Sequence, residues 1–292
     1  MNYRHAYHAG NFADVVKHAI LALLITHLKQ KETPFRVIDT HAGAGLYDLL
    51  GEAAGKTQEW REGIGRLIGP EAAPIPAPAA AALEPYLHVV RALNAKGRLA
   101  RYPGSPRLAR ALLRPGDRLV VNELHPEDGA ALRRLFARDP HTKVLGLDGW
   151  MALKSLLPPK ERRGVILVDP PFEAPGELGR LVNGLCQAVE RFATGIYLLW
   201  YPIKDEKPVA TLHRALVGQG FARLLKAEVL IRRPRDSDRL NGAGLLVLNP
   251  PFTLVGQLEG LLPFLAERLA QGPGARDTLA WLSGDKASDC LT

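Results

Sequence analysis

Residues 164–173 read GVILVDPPFE. Four apolar residues, Val165 to Val168, run into an aspartate, two prolines and a phenylalanine. A short apolar run bounded by breakers is the pattern of a strand buried on both faces, as in a parallel sheet. Proline has no N–H to continue the ladder, so the strand stops at Asp169 with a carboxylate and a ring at its carboxyl end. In open α/β sheets ligands bind at that end.

The same alternation surrounds this stretch. FRVIDTHAGAG (35–45) is a strand breaking into a Gly-rich turn, DRLVVNELHP a strand, EDGAALRRLFARD a helix and TKVLGLDGW a strand. After MALKSLLPP (helical) and the strand at 164 come ELGRLVNGLCQAVERF (helix), GIYLLWYP (strand) and KPVATLHRALVGQG (helix). RLLKAEVLIRR and GAGLLVLNPPF are two further strands, followed by a helix, TLVGQLEGLLPFLAERLAQ. Strands alternating with helices predict a mostly parallel, doubly wound α/β sheet. Seven strands, the last two joined by a short turn, match the methyltransferase version, in which the final strand inserts antiparallel beside strand five. Upstream, NFADVVKHAILALLITHLKQK reads as an amphipathic helix with Val16, Ile20, Leu24 and Leu28 on one face. Residues 49–99 break the alternation: WREGIGRLIG and YLHVVRALN read as short helices around a low-complexity connector, AAPIPAPAAAA. The expected organisation is a Rossmann-like domain over residues 1–48 and 100–283, a helical insertion subdomain over 49–99 and a loose tail over 284–292.

Bulk properties agree with one large α/β domain carrying an insertion: 292 residues, 47% hydrophobic. Two cysteines, Cys186 and Cys290, make neither a disulfide framework nor a Cys-based zinc site, and no spacing of the nine histidines resembles a metal site. We expect no metal, and Cys186 reads as core rather than nucleophile. The N-terminal MNYRHAYHAG lacks a signal-peptide core, and the longest apolar run, AILALLI, is too short for a bilayer. A soluble, cytoplasmic protein with no membrane partner is expected. The net charge of +8 and pI of about 9.6 suit a polyanion. Charge alone divides evenly between a nucleic-acid partner and an enzyme that happens to be basic. Arg91 to Arg118 holds eight Lys or Arg against one acid, Asp117, whereas IRRPRDSDR is diluted by Asp236 and Asp238.

The strand ends carry the chemistry. Gly43 and Gly45 let backbone approach a ligand and leave N–H groups at the start of the next helix, with Asp39 and His41 adding polar groups. A tight turn would look the same. Tyr47 and Asp48 stand where the dinucleotide fingerprint needs its third glycine, which disfavours a nicotinamide dehydrogenase. Glu123, ending strand two, suits the two hydroxyls of a ribose, or else a cap or the surface. Asp148 and Gly149, ending strand three, border the adenine of a bound nucleoside, or form a plain turn. At strand four, Asp169 offers a side-chain oxygen and Pro170 a carbonyl, one for each hydrogen of an adenine amine, so that its lone pair faces a methyl donor. Phe172 offers a face for the base. NPPF (249–252) repeats this pattern at the end of strand seven. Because only Asp169 lies next to the Gly43 turn, we read Asn249 to Phe252 as structural.

Taken together, YRHAYHAGNFADVVKH, DTHAGAG, YPGSP, NELHP, DGW, DPPF, RFATGIYLLWYP and DSDRLNGAGLLVLNPP resemble the RlmJ family of bacterial large-subunit ribosomal RNA methyltransferases, from Tyr3 to about Trp281. The resemblance implies a class I S-adenosylmethionine-dependent methyltransferase fold and N6 methylation of an adenine in 23S rRNA, by direct transfer to a flipped-out base. By resemblance, Asp169, with Pro170 and Phe172, is catalytic and lies close to the cofactor. Lys17 and His18 close over the methionine end of S-adenosylmethionine, His41 and the Gly43 turn lie beneath it, and Asp39 adds to the site. Ser105 contacts the cofactor, Glu123 its ribose, and Asp148 with Gly149 its adenine. Tyr3, Arg4, Pro171 and Phe172 meet the RNA. A monomer with no obligate protein partner is implied. The family motif is usually D-P-P-Y; Phe172 keeps the ring and loses a hydroxyl. The basic run from Arg91 is expected to carry RNA phosphates. The alternatives are the same chemistry on another amine (DNA adenine or protein glutamine) and a non-catalytic RNA-binding protein on the same fold.

Overall fold

The computed structural model describes residues 4–95, 97–235 and 238–283. Tyr3, Cys290 and the expected tail therefore lie outside the described residues. Among the described residues ten strands form: β1 (Arg36–Asp39), β2 (Leu46–Asp48), β3 (Arg101–Pro103), β4 (Arg118–Asn122), β5 (Thr142–Leu145), β6 (Gly164–Val168), β7 (Ile196–Ile203), β8 (Leu224–Leu230), β9 (Gly242–Leu248) and β10 (Arg276–Ser283). Eight make one sheet in the order β10-β8-β9-β7-β6-β1-β4-β5. From β5 to β7 neighbours are parallel, and β9 runs antiparallel beside β7 and β8. This is the expected α/β methyltransferase arrangement, with β9 as the inserted final strand.

The helices are α1 (Phe12–Leu28), α2 (Glu52–Thr57), α3 (Gly65–Ile68), α4 (Ala77–Leu93), α5 (Ser105–Leu112), α6 (Pro126–Leu135), α7 (Gly149–Ser155), α8 (Glu177–Arg191), α9 (Glu206–Val217) and α10 (Leu254–Arg268). Successive strand residues point to opposite faces. Val37, Val165 and Leu167 thus join a core with α1, α4, α5 and α10, while Ile38, Ile166 and Val168 join a second core under α7, α8 and α9. The sheet is covered on both faces, which is why β6 is apolar at every position.

Four expectations need correction. The sheet has eight strands, not seven: β10 pairs antiparallel with β8 and covers its edge. Its apolar run, Leu279–Leu282, lies between polar residues, and all its described residues are half-exposed or more. Helix α1 is not amphipathic; every residue except Thr26 and His27 is buried, because α4, α5, α10 and the sheet surround it. Half of the presumed connector is helix. Helix α4 begins at Ala77 and takes in its run of alanines, the strongest helix formers, with proline in the first turn. No helix follows the Gly43–Gly45 turn directly. The chain enters β2, which pairs with β3, and the helix that belongs to strand one is α5, beginning at Ser105. Segment 49–99 thus leaves and returns through the β2–β3 ribbon, and its Ile64, Leu83 and Tyr86 sit in the same core cluster as α1. Among the described residues no helix is long and apolar enough to cross a membrane.

Candidate active site

The carboxyl ends of β1, β4, β6 and β7 open into one cavity of about 1220 Å³. Lys17 and His18 enter it from α1, His41 and Gly43 from the β1 turn, Ser105 from the start of α5 and Glu123 from the end of β4. Asp148 and Gly149 come from the end of β5, and Asp169 to Phe172 from the end of β6.

Asn11 caps α1 by accepting the Asp14 N–H at 3.0 Å. Asp14, fully buried, accepts from the Gly10 N–H at 2.9 Å and binds His5 Nε2 at 2.9 Å. It also pairs with Lys17 Nζ at 2.9 Å, and the same ammonium donates to Asp169 Oδ2 at 2.5 Å. Burial alone would raise the Asp14 carboxyl, but His5 and Lys17 outweigh it and hold Asp14 well below the usual carboxylate range. Burial would likewise lower Lys17, yet Asp14 and Asp169 raise it. A buried charge needs a partner, and Lys17 has two. One carboxylate anchors it to the helix; the other is at the strand-four site. His18 Nδ1 bonds the Tyr102 hydroxyl at 2.8 Å, which meets the Tyr86 hydroxyl at 2.9 Å. Burial, with Lys17 and His5 nearby, lowers His18 to about 3, so it is neutral.

Asp39 does not line the cavity. It is buried behind Ser105, whose hydroxyl donates to Asp39 Oδ2 at 2.6 Å. Burial, reinforced by Asp169, pushes its carboxyl up to about 7. Next to it the Thr40 hydroxyl donates to the Leu167 carbonyl at 3.0 Å, so it accepts from His41 Nδ1 at 2.9 Å. That places the His41 proton on Nδ1 and leaves Nε2 as an acceptor; burial lowers the ring to about 4. A Cβ at Gly149 would stand 2.1 Å from His41 Nε2, and one at Gly43 (φ +62°) would collide with the Tyr47 hydroxyl. Both glycines are required where backbone forms the cavity wall. Asp148 caps α7 through Oδ1, accepting from Trp150 and Met151 N–H groups at 3.1 Å each. Glu123 accepts the Gly43 N–H and the His125 N–H, both at 2.7 Å, and burial raises its carboxyl. The Gly43 N–H is therefore engaged, not free as the sequence suggested. Each Glu123 oxygen keeps a second lone pair for a ligand.

The family described as "RsmJ: Ribosomal RNA large subunit methyltransferase D, RlmJ" matches residues 32–283. The chain is 41% identical over 282 residues to "Ribosomal RNA large subunit methyltransferase J" of Escherichia coli strain K12, covering 97% of this chain and 99% of that one. The protein of that name from Haemophilus influenzae is 38% identical over 284 residues, again 97% and 99% of the two chains. The chain belongs to the RlmJ family. A crystal structure of protein LPL1258 from Legionella pneumophila has a TM-score of 0.84 at 32% identity, over 96% of this chain and 99% of that one.

In this RlmJ-family member, Asp169 keeps Oδ1 without a partner among the described residues while Lys17 holds Oδ2. Phe172 has φ +53°, an uncommon backbone for an aromatic residue, and its ring meets Trp200 edge-on with centroids 5.4 Å apart. Trp200 Nε1 is buried and has no hydrogen-bond partner among the described residues. In Asn249 to Phe252, by contrast, the Asn249 amide is spent on the carbonyls of Ala193 and Gly195, 2.8 Å each.

Two placements differ from the sequence reading. None of the described residues of the basic run Arg91 to Arg118 lines the cavity. Arg110 pairs with Asp139, Arg114 clasps Asp117 and Arg118 donates to carbonyls of its own loop. The cavity's cationic rim is instead Arg180, Lys204, Arg232 and Arg239, partly from the cluster that looked diluted. Arg4 pairs with Glu127 at 2.7 Å and does not line the cavity. Sequence reasoning missed Asp14, His5 and Trp200. Asp14 stands three residues before Lys17, a helical ion-pair spacing that was readable; nothing in the sequence marked the other two.

Proposed function

We propose that this protein methylates the exocyclic N6 of one adenine in large-subunit (23S) ribosomal RNA, using S-adenosylmethionine and direct transfer to a flipped-out base. The observation that carries this is the end of β6: a carboxylate with one oxygen open, beside a ring pair, next to the Gly43 turn. The cofactor fits the remaining walls. Glu123 suits the ribose hydroxyls, Asp148 and Gly149 the adenine, and Ser105, His41, Lys17 and His18 the methionine end, with Asp39 holding Ser105 in place. When bound, it supplies an electrophilic methyl group on sulfur.

The protein's own groups do the rest. Lys17 fixes the orientation of Asp169, whose Oδ1 accepts one amine hydrogen. The Pro170 carbonyl accepts the other, and Asp169 takes the proton that the amine loses. Neutral His18 and His41 add no charge to compete with Lys17. Phe172 and Pro171 receive the base, whose unstacking costs a few kcal/mol. Orientation of amine against methyl group is the main source of rate. Tyr3 contacts the RNA, and Arg4 does so by exchanging Glu127 for a phosphate. We read residues 49–99 as an insertion subdomain and the protein as a cytoplasmic monomer.

The test is methyl transfer from labelled S-adenosylmethionine to unmodified large-subunit rRNA, with mass spectrometry of the product nucleoside. N6-methyladenosine from wild type is expected. Another methylated nucleoside, or transfer to DNA or glutamine instead, overturns the assignment of substrate.

A further inference from the structure

A second cavity, of about 340 Å³, opens at the opposite end of the sheet. It is lined by Lys31, Arg163 and Arg223 together with His27, and by the whole Asn249 to Phe252 segment, with no acidic residue among its lining groups. Its volume falls at the lower end of the ~300–1,000 Å³ range of small-ligand pockets. Phe252 is 81% exposed, the most exposed of the large hydrophobic side chains among the described residues. It is nevertheless held in place. The His27 ring meets it edge-on at 6.0 Å, and Asn249, two prolines back, is tied to the carbonyls before β7. Arg223 donates to the Pro250 carbonyl at 3.3 Å, while its buried Nε has no partner among the described residues. Arg163 is fixed by the carbonyls of Leu28 and Thr33. Lys31 is exposed.

A cationic lining that holds no described acidic residue, beside a solvent-facing aromatic ring, is what a nucleotide requires: charge for the phosphate and a face for the base. We propose that this cavity binds a single unpaired nucleotide of the substrate RNA, its phosphate on Lys31 and Arg223 and its base stacked on Phe252. The inference rests on the RNA-substrate reading above. Strand β9 spans seven residues, roughly 24 Å at ~3.4 Å each, and separates this cavity from the one at Asp169. Different parts of one folded RNA would therefore fill the two. RNA is read mainly in such unpaired positions, by stacking.

The test is fluorescence anisotropy of the full chain with an unmodified large-subunit rRNA transcript over a salt series, comparing wild type, Lys31→Ala and Phe252→Ala. Both side chains are exposed, so neither substitution threatens the fold, and calorimetric binding of S-adenosylhomocysteine verifies this. Phe252→Ala should weaken binding about tenfold with the salt slope unchanged, as expected for one stacked base. Lys31→Ala should weaken it several-fold and make the log–log salt slope shallower by about one, the signature of one lost phosphate contact. Wild-type affinity in either variant overturns the proposal. Methyl transfer by wild type to the same transcript is followed alongside. Its absence strikes the function proposed above, whereas unchanged RNA affinity in the variants strikes this site alone.

Discussion

Asp169-Pro-Pro-Phe172 and Asn249-Pro-Pro-Phe252 differ at one residue in four, yet the fold puts them at opposite ends of the sheet. Strand β6 runs parallel to β1, so Asp169 reaches the large cavity; β9 runs antiparallel to β7, so Asn249 emerges where β7 begins. The backbone differs as well. At β6 the fourth residue, Phe172, takes positive φ and turns its ring toward Trp200; at β9 the first residue, Asn249, takes it and folds its amide under the chain. A four-residue motif thus acquires its surroundings from the direction of the strand that presents it. Its composition alone does not decide.

The comparison breaks first at Asp169. Asp169→Ala should lower methyl transfer by at least about a hundredfold while S-adenosylhomocysteine still binds, measured by single turnover and calorimetry. Asp169→Asn makes the first motif a copy of the second; it keeps an oxygen to accept the amine and loses the proton acceptor, so its activity should fall between the two. Activity equal to wild type in Asp169→Ala would move the chemistry elsewhere. Phe172→Ala should follow, with kcat/KM down roughly 10- to 100-fold for the loss of one stacking face, and Phe172→Tyr should restore the family motif with near-native rates. Asn249→Ala should act on stability instead. Two hydrogen bonds to carbonyls disappear and alanine is left at φ +54°, a loss of about 2 kcal/mol read from the urea midpoint, with cofactor affinity retained. A further effect, confined to a pH interval, is at Asp39. Its carboxyl titrates near 7 when folded and near 3.8 when unfolded, so the folded state holds the extra proton in that interval. Stability from this group falls as pH rises from about 4 to 7. Asp39→Asn should therefore gain on wild type across the interval in paired urea melts, and a constant difference would contradict the assignment.

Much of the sheet was legible because parallel strands buried on both faces are unbroken apolar runs, as at β6. β10 was missed although it carries the apolar run Leu279–Leu282, because it is a half-exposed edge strand outside the strand–helix alternation. The strand-end residues Gly43, Glu123, Asp148 and Asp169 were legible because parallel sheets place ligands there. Lys17 and His18 came only from the family resemblance. Periodicity calls an α1 with charged residues amphipathic, and nothing local announces that α4, which arrives some fifty residues later, will cover them. Likewise the role of Asp39 behind Ser105 depends on a contact between residues 66 apart in sequence.

That separation bears on how the pocket comes into being. The floor of the large cavity joins the Gly43 turn to the start of α5, with the Gly104 N–H closing on the Gly45 carbonyl at 3.0 Å. All of segment 49–99 loops out between the two halves of the joint. Loop closure costs only about 0.6 kcal/mol for each doubling of length, so the insertion is cheap to carry but slow to close. We therefore expect this wall of the cavity to assemble late, after α4 has docked on α1. A circular permutant opened in the proline-rich stretch before α4 would dissect the assembly: the sheet could form without the joint, and competence to bind the cofactor would appear as a separate kinetic event.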